Sequence, residues 1–428
     1  MKLCNGGRVV AAALLLSALA LGGCRSRSTD SDLLMAVNAG VEADGLKASA
    51  AEYRKERGIA IRIIEYPYQS LFEKLMISLT GPSSNYDLVM IDDPWFPRLA
   101  EMQTLAELAP LFRARGLTGP DGDFVEASLA LCRHPYRTGA LYALPCVGNT
   151  QLFFYRRDLY EKHGLEPPRT WDDVYRTGKE IGEREGIYGY VMRAAQGNAI
   201  VSDFMPLFWA FGGEMFDASG RPRVNSPEGV AALEFMLRLA EIAPPGYANF
   251  NADEVGAHLL QGTAVMAINW PAWIPAFADP ARSKVIGKIG YLNVPSQKRP
   301  GASSIGNWLV GIPRRSRHAE EAFEFLLWVT APEQMRQSAL KGNPPTRRSV
   351  FEDPELVARF PSYPVQYRAL VGSRPRPRSA VWNEIENTFG IYLSQANSGY
   401  YSAREALDAA NRDIEAILQR WNLSARNL

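Results

Sequence analysis

The chain has 428 residues, 46% of them hydrophobic and 22% charged, with a formal net charge of +1. That length accommodates two or more domains with substantial cores, and the composition is globular, which excludes disorder for most of the chain. A balance so near neutrality leaves no electrostatic footprint for a nucleic-acid backbone and excludes that class of partner.

Lys2 and Arg8 form a short basic region, Val9 to Leu21 is almost wholly apolar, and Leu21-Gly22-Gly23-Cys24 closes the segment. The run is shorter than the roughly 20 residues that span a bilayer, so residues 1–23 read as a signal peptide that is removed. Its last four residues resemble a bacterial lipobox, in which Cys24 is lipidated and begins the mature protein. Residues 24–31 then tether the lipid to the fold. With Cys4 lost and Cys24 acylated, Cys132 and Cys146 are the remaining thiols. Either they pair in an oxidising envelope, closing a loop worth roughly 3 kcal/mol, or they stay as two separate buried cysteines.

In chain order, Leu33 to Val37 is an apolar strand ending at Asn38, and Glu42 to Arg57 is a helix with Leu46, Ala50 and Tyr53 on one face, stopped by Gly58. Ile59 to Tyr66 is a second strand, Tyr68 to Thr80 a second helix, and Tyr86 to Asp92 a strand whose four consecutive apolar residues suit burial on both faces. Strands alternating with helices predict a doubly wound α/β lobe. Ligands of such sheets bind beyond the carboxyl ends of the strands, which here present Asn38, Tyr68, Asp92, Asp93 and Trp95. The sharp turn at Pro94 sends the two aspartates to different sides: Asp93, nearer Trp95, is expected on the ligand, and Asp92 as a cap or brace.

Leu141 to Leu159 is the stretch where the chain changes character. Gly148 and Asn149 precede the buried strand Gln151 to Tyr155, as a hinge between two compact halves would. Thr170 and Asp173 form a capping box for the next helix. Asp203 to Phe216 reads as a helix carrying Trp209 and ending at Gly212-Gly213; Pro227 to Ile242 and Asp253 to Leu260 are amphipathic helices. Gly262 to Asn269 is a strand running into Trp270 and Trp273, and Trp308 to Ile312 is a strand preceded by Asn307. Ala319 to Thr330 is a helix, Lys341 to Ser349 a second linker containing Arg347, and Ala380 to Trp421 is mostly helical.

YDLVMIDDPW, LYALPCVGNTQLFFYRRDL, PPRTWDDV, QGTAVM and KGNPPTRRS, in this order behind a lipobox, resemble the bacterial extracellular solute-binding proteins, most of all the sugar-binding family of ABC importers that includes maltose-binding proteins. The resemblance spans about Leu33 to Trp421. It implies a type II periplasmic-binding-protein fold: two α/β lobes, each a doubly wound sheet flanked by helices, joined by hinge crossovers. By analogy lobe one is 32–148 plus 303–348 and lobe two 149–302 plus 349–428. It implies a monomer on the outer side of the membrane, held by lipid only, that closes on a carbohydrate and delivers it to an ABC permease, without cofactor, metal or catalysis.

Residue chemistry points to a sugar independently, because carbohydrates need aromatic platforms for their C–H faces and planar polar groups for their hydroxyls. The strand ends and loops supply Trp95, Trp209, Trp270, Trp273 and Trp308 beside Asn38, Tyr68, Asp92, Asp93, Asn149, Gln151, Gly212, Asn269, Asn307 and Arg347. For each tryptophan the competing reading is interlobe packing. A polyol, glycerol-phosphate or polyamine ligand stays open, as does an envelope glycosidase, although no second carboxylate at a defined separation identifies itself.

Overall fold

The computed structural model describes residues 32–423, so the expected signal peptide, Cys24 and the whole of the expected tether lie outside the described residues. Two sheets organise the chain. The first has the order Ile61–Tyr66, Leu33–Asn38, Leu88–Asp92, Trp308–Gly311, Ala143–Val147. Its first three strands are parallel, and Trp308–Gly311 runs antiparallel to both neighbours, pairing Trp308 with Asp92. The second sheet has the order Ile289–Leu292, Leu152–Arg156, Ala264–Asn269, Tyr188–Val191.

The expected elements follow from local signals. Leu88–Asp92 is buried at every position, as an apolar run covered by helices on both faces must be. Leu152–Arg156 divides its side chains likewise: Phe153 and Tyr155 enter one core cluster, Leu152 and Phe154 the other. Gly58 ends the helix Asp44–Arg57 in the left-handed conformation at φ 73°. Thr170 and Asp173 form the reciprocal capping box of Trp171–Glu185. The helix around Trp209 spans Asn198–Phe211, earlier than expected, because Gly212 stops it at φ 96°.

The chain crosses between the sheets three times, and the three crossings lie side by side. Thr150 bridges Ile305, and Ser304 bridges Arg374. The amide of Gly306 donates to Asn149 O at 2.9 Å, that of Gln151 to Ser304 O at 3.0 Å, and that of Ile305 to Arg374 O at 3.1 Å. This narrow ribbon is the hinge. Gly148 sits at its edge for a different reason than expected: its φ is ordinary, but a Cβ there would lie 1.9 Å from Pro345 O. Its amide donates to Pro344 O at 2.8 Å, so glycine permits a close backbone approach.

The expected return to lobe two at residue 349 falls later. Val350, Phe351, Leu356, Tyr363 and Leu370 pack in the first core, whereas Trp382, Ile385, Phe389 and the last helix, Ala403–Arg420, pack in the second. The linker around Arg347 therefore stays within one lobe, and the third crossing is the Arg-Pro run at 374–378.

Replacing Gly148 with Ala forces a methyl group onto the Pro345 carbonyl, and overpacking of this kind costs about 1–3 kcal/mol. A thermal melt of Gly148→Ala should show a clear drop in Tm; an unchanged Tm would mean that the Pro345 loop moves aside freely.

Candidate functional site between the lobes

The carboxyl ends of the first sheet's parallel strands open towards the second lobe. Asn38 ends the first strand and Asp92 the third, and the helix Tyr68–Thr80 brings Tyr68 between them. The Tyr68 hydroxyl donates to Asp92 Oδ2 at 2.7 Å. Its ring stands 4.7 Å from that of Trp95 and 6.1 Å from that of Trp308, and the two indoles meet edge to face at 5.8 Å. Three rings thus form one wall beside one carboxylate.

Asp93 turns away from this wall and is fully buried. Arg376 donates to its Oδ2 at 3.0 Å and Arg378 to its Oδ1 at 2.7 Å, while the same Arg378 nitrogen also reaches Asp93 O. This corrects the expectation for Asp93: both its side-chain oxygens are spent on the third crossing, whereas Asp92 accepts from Tyr68. Arg376 also approaches Asp92 at 3.5 Å and Glu386 at 3.7 Å. Asn198 donates to Glu386 Oε1 at 3.0 Å.

The electrostatics follow from this crowding. Burial pushes the Asp92 carboxyl up to about 7; Arg376 opposes the shift while Asp93 and Glu386 add to it. Glu42, in the turn after the first strand, is also pushed up to about 7 by burial, with Asp253, Asp92 and Asp44 adding to the rise. Burial raises Glu386 as well, against the pull of Arg376. Asp253 belongs to the second lobe, so its effect on Glu42 marks the place where the lobes face each other. The turn Val41–Ala43 touches Pro271–Trp273, and a Cβ on Gly342 would lie 1.9 Å from Pro275 Cγ. The lobes touch here.

From the second lobe and the hinge come amides and one indole. Asn269 accepts the Trp270 amide at 2.8 Å. The Trp270 ring lies against Gly306 of the hinge with the Arg193 guanidinium 5.0 Å from its centre, and Asp203 holds Arg193 at 2.6 Å. Gln151 donates to Ser202 O at 3.0 Å. Among the described residues, Asn38 Oδ1, Asn149 Oδ1, Gln151 Oε1 and both amide atoms of Asn307 are buried without a partner. Buried polar atoms are nearly always paired, so these five remain open to groups that the described residues do not supply, as do others elsewhere such as Gln366 Oε1 and Ser394 Oγ.

Four expected site residues do other work. Arg347 is buried with Nε on Thr330 O at 2.5 Å and Nη1 on Asp121 at 2.7 Å, beneath Phe124. Trp273 packs on Gly256, where a Cβ would meet its ring at 2.6 Å. Gly212 caps a helix. Trp209 lies under Arg374 at 4.7 Å and lines a cavity of about 820 Å³ with His134, Tyr136, Glu214 and the third crossing's Arg376 and Arg378. Cys132 and Cys146 are two free buried thiols rather than a disulfide, and burial pushes both well above the usual thiol range. Arg376, Arg378, Glu386, Asn198 and Glu42 were missed, although the run Arg374-Pro375-Arg376-Pro377-Arg378 carried a signal: proline forces an extended path and arginine needs acidic partners.

Comparison with known proteins agrees with this architecture. The probable amino-acid ABC transporter periplasmic-binding protein y4oP of Sinorhizobium fredii is 29% identical over 346 residues, which cover 78% of this chain and 76% of that protein. The maltose-bound MalE3 protein of T. maritima superposes with a TM-score of 0.83 at 26% identity, covering 90% of this chain and 100% of that one. An ABC transporter solute-binding protein of Agrobacterium radiobacter in complex with ribitol gives 0.84 at 26% identity, covering 91% and 99%. The two-lobed, hinged α/β architecture is therefore that of the type II periplasmic binding proteins. The family model described as bacterial extracellular solute-binding protein matches residues 39–336, and the chain belongs to that family.

Proposed function

We propose that this protein is the receptor of an ABC importer for a carbohydrate or polyol, which it captures between its lobes and hands to a membrane permease. The observation that carries this reading is the strand-end site itself, an aromatic wall of Tyr68, Trp95 and Trp308 joined to Asp92 and to unpartnered buried amides. Stacking surface beside acceptors and donors for hydroxyl groups is what a small polyhydroxylated ligand requires. Maltose and ribitol in the two structural neighbours support the same class. The protein acts without catalysis, as a monomer held to the membrane by lipid on Cys24, on the extracytoplasmic side that its family occupies.

A thermal-shift panel of neutral sugars, polyols and phosphate esters tests the ligand class. A true ligand at a hundredfold excess over its Kd stabilises by about 2.7 kcal/mol, whereas a panel in which only phosphate esters raise the Tm would overturn it.

The two aspartates should separate cleanly. Asp92→Asn removes a charged acceptor worth about 1.5–3 kcal/mol, so calorimetry should show affinity falling tenfold or more with a small change in Tm. Asp93→Asn takes from buried Arg378 its carboxylate and from buried Arg376 the nearest of three, and should cost about 3–5 kcal/mol of stability. The reverse pattern would return Asp93 to the ligand.

Trp270→Ala should lower affinity by about 2 kcal/mol as the loss of an aromatic anchor, and Trp273→Ala should lower the Tm with the larger cost of a core cavity, about 3–5 kcal/mol. Equal affinity losses in the two variants would contradict the division of roles. For the anchor, mass spectrometry of protein from native membranes should find an acylated Cys24 as the first residue. An unmodified Cys24, or a retained 1–23 segment, would remove the lipid from the account.

A further inference from the structure

Asp92 and Arg376 stand side by side with one group each unanswered. The Tyr68 hydroxyl donates to Asp92 Oδ2 at 2.7 Å, whereas Oδ1 accepts no hydrogen bond among the described residues and has Arg376 Nη2 3.5 Å away. Arg376 spends Nη2 on Asp93 at 3.0 Å and holds Nη1 3.7 Å from Glu386 of the second lobe. Its Nε has no acceptor among the described residues, although the residue is only 2% exposed. A buried guanidinium N–H is rarely left so, because removing a charged donor from water without a partner is costly.

The shape of the guanidinium decides what is missing. Its N–H groups lie in one plane as a rigid fork, and Nε and Nη2 donate from the same edge. An acceptor on Nε therefore lies beside the Nη2 that approaches Asp92 Oδ1. A free donor and a free acceptor so close together call for a group that both accepts and donates. An ammonium group cannot accept from Nε, and an ionised carboxylate cannot donate to Asp92. A hydroxyl does both, with one O–H and two lone pairs.

We propose that Arg376 determines specificity: one hydroxyl of the ligand lies between Arg376 Nε and Asp92 Oδ1, accepting from the first and donating to the second. The proposal rests on the carbohydrate reading and narrows it to ligands with an uncharged hydroxyl beside the C–H face that meets the wall of Tyr68, Trp95 and Trp308. Tyr68 connects the two contacts, since its hydroxyl donates to Asp92 while its ring lies 4.7 Å from Trp95. Arg376 belongs to the third crossing, so the same hydroxyl joins the first lobe to the hinge. Arg378 provides the comparison: it too holds Asp93 and has an Nε without an acceptor, but no ion pair joins it to Asp92. Both arginines line the cavity beside Trp209, which contains none of the wall residues.

Calorimetry on the purified protein with ribitol, sorbitol, glucose and maltose as probes tests this. For the probe that the unsubstituted protein binds, Arg376→Lys keeps a cation beside Asp93 but removes the Nε donor, and should lower affinity about tenfold or more. Arg378→Lys makes the equivalent change at Asp93 and should lower the Tm comparably, with affinity held within about threefold as for an indirect effect. Unchanged affinity in Arg376→Lys would leave the gap to a water molecule, and equal losses in the two variants would put the probe in the cavity that both arginines line. Either result overturns the proposal and leaves the carbohydrate reading intact, whereas binding of no probe overturns both. If Arg376→Lys does not fold, NMR of the arginine side chains in the unsubstituted protein decides: the Arg376 Nε–H resonance should shift and exchange more slowly with water at saturating probe, and an unmoved resonance overturns the proposal.

Discussion

The interaction on which the rest of the molecule depends is the buried pairing of Asp93 with Arg376 and Arg378. Asp93 directly follows the central strand of the first sheet, Leu88–Asp92, and the two arginines belong to the last crossing between lobes. A fully buried carboxylate is stable only when its charge and lone pairs are answered, and two guanidinium groups do so at 3.0 and 2.7 Å. The pairing fixes the third crossing against the first lobe, and Arg376 then reaches Asp92 and Glu386. The anchor thereby sets the charge environment of the neighbouring site, because the guanidinium that neutralises Asp93 is only partly available to Asp92.

The hinge obeys a complementary constraint. Its three strands are joined by backbone hydrogen bonds at Asn149, Ser304 and Arg374, so each crossing supports the others and a rotation of one lobe must carry all three together. Backbone pairing of this kind tolerates bending better than sliding. Gly148 and Gly306 are glycines here for reasons of space, one admitting the Pro345 carbonyl and the other the Trp270 ring. Trp270 therefore reports on the hinge and the cleft together.

What was legible in the sequence was local. The apolar run at 88–91, the stop at Gly58 and the capping box at Thr170 depend on neighbours within four residues, and each formed where expected. The strand-end rule also placed Asn38, Tyr68 and Asp92 at one edge, since the parallel topology dictates it. The illegible part depends on partners far along the chain. Asp93 meets Arg376 across a separation of 283 residues, and Arg347 meets Asp121 across 226. Adjacent aspartates look alike until such partners are known. Trp95 and Trp273 likewise share a sequence context of proline and aromatic residues, yet one stands in the wall beside Asp92 and the other packs on Gly256. The lobe boundary was misplaced because a Pro-rich linker at 343–348 looks like a crossing, while the true crossing is distinguished by arginines whose acids lie on other elements.

The two lobes meet where like charges face each other. Asp253 on the second lobe raises the cost of ionising Glu42 on the first, and Asp93 and Glu386 do the same to Asp92 deeper in the cleft. Closing empty lobes therefore brings carboxylates together as water leaves, and the repulsion strengthens as the local dielectric falls. The apolar contact of Val41–Ala43 with Pro271–Trp273 works in the opposite direction. Closure is thus a balance between apolar contact and charge repulsion, and a ligand that presents donors to the carboxylates shifts it by removing the unfavourable side.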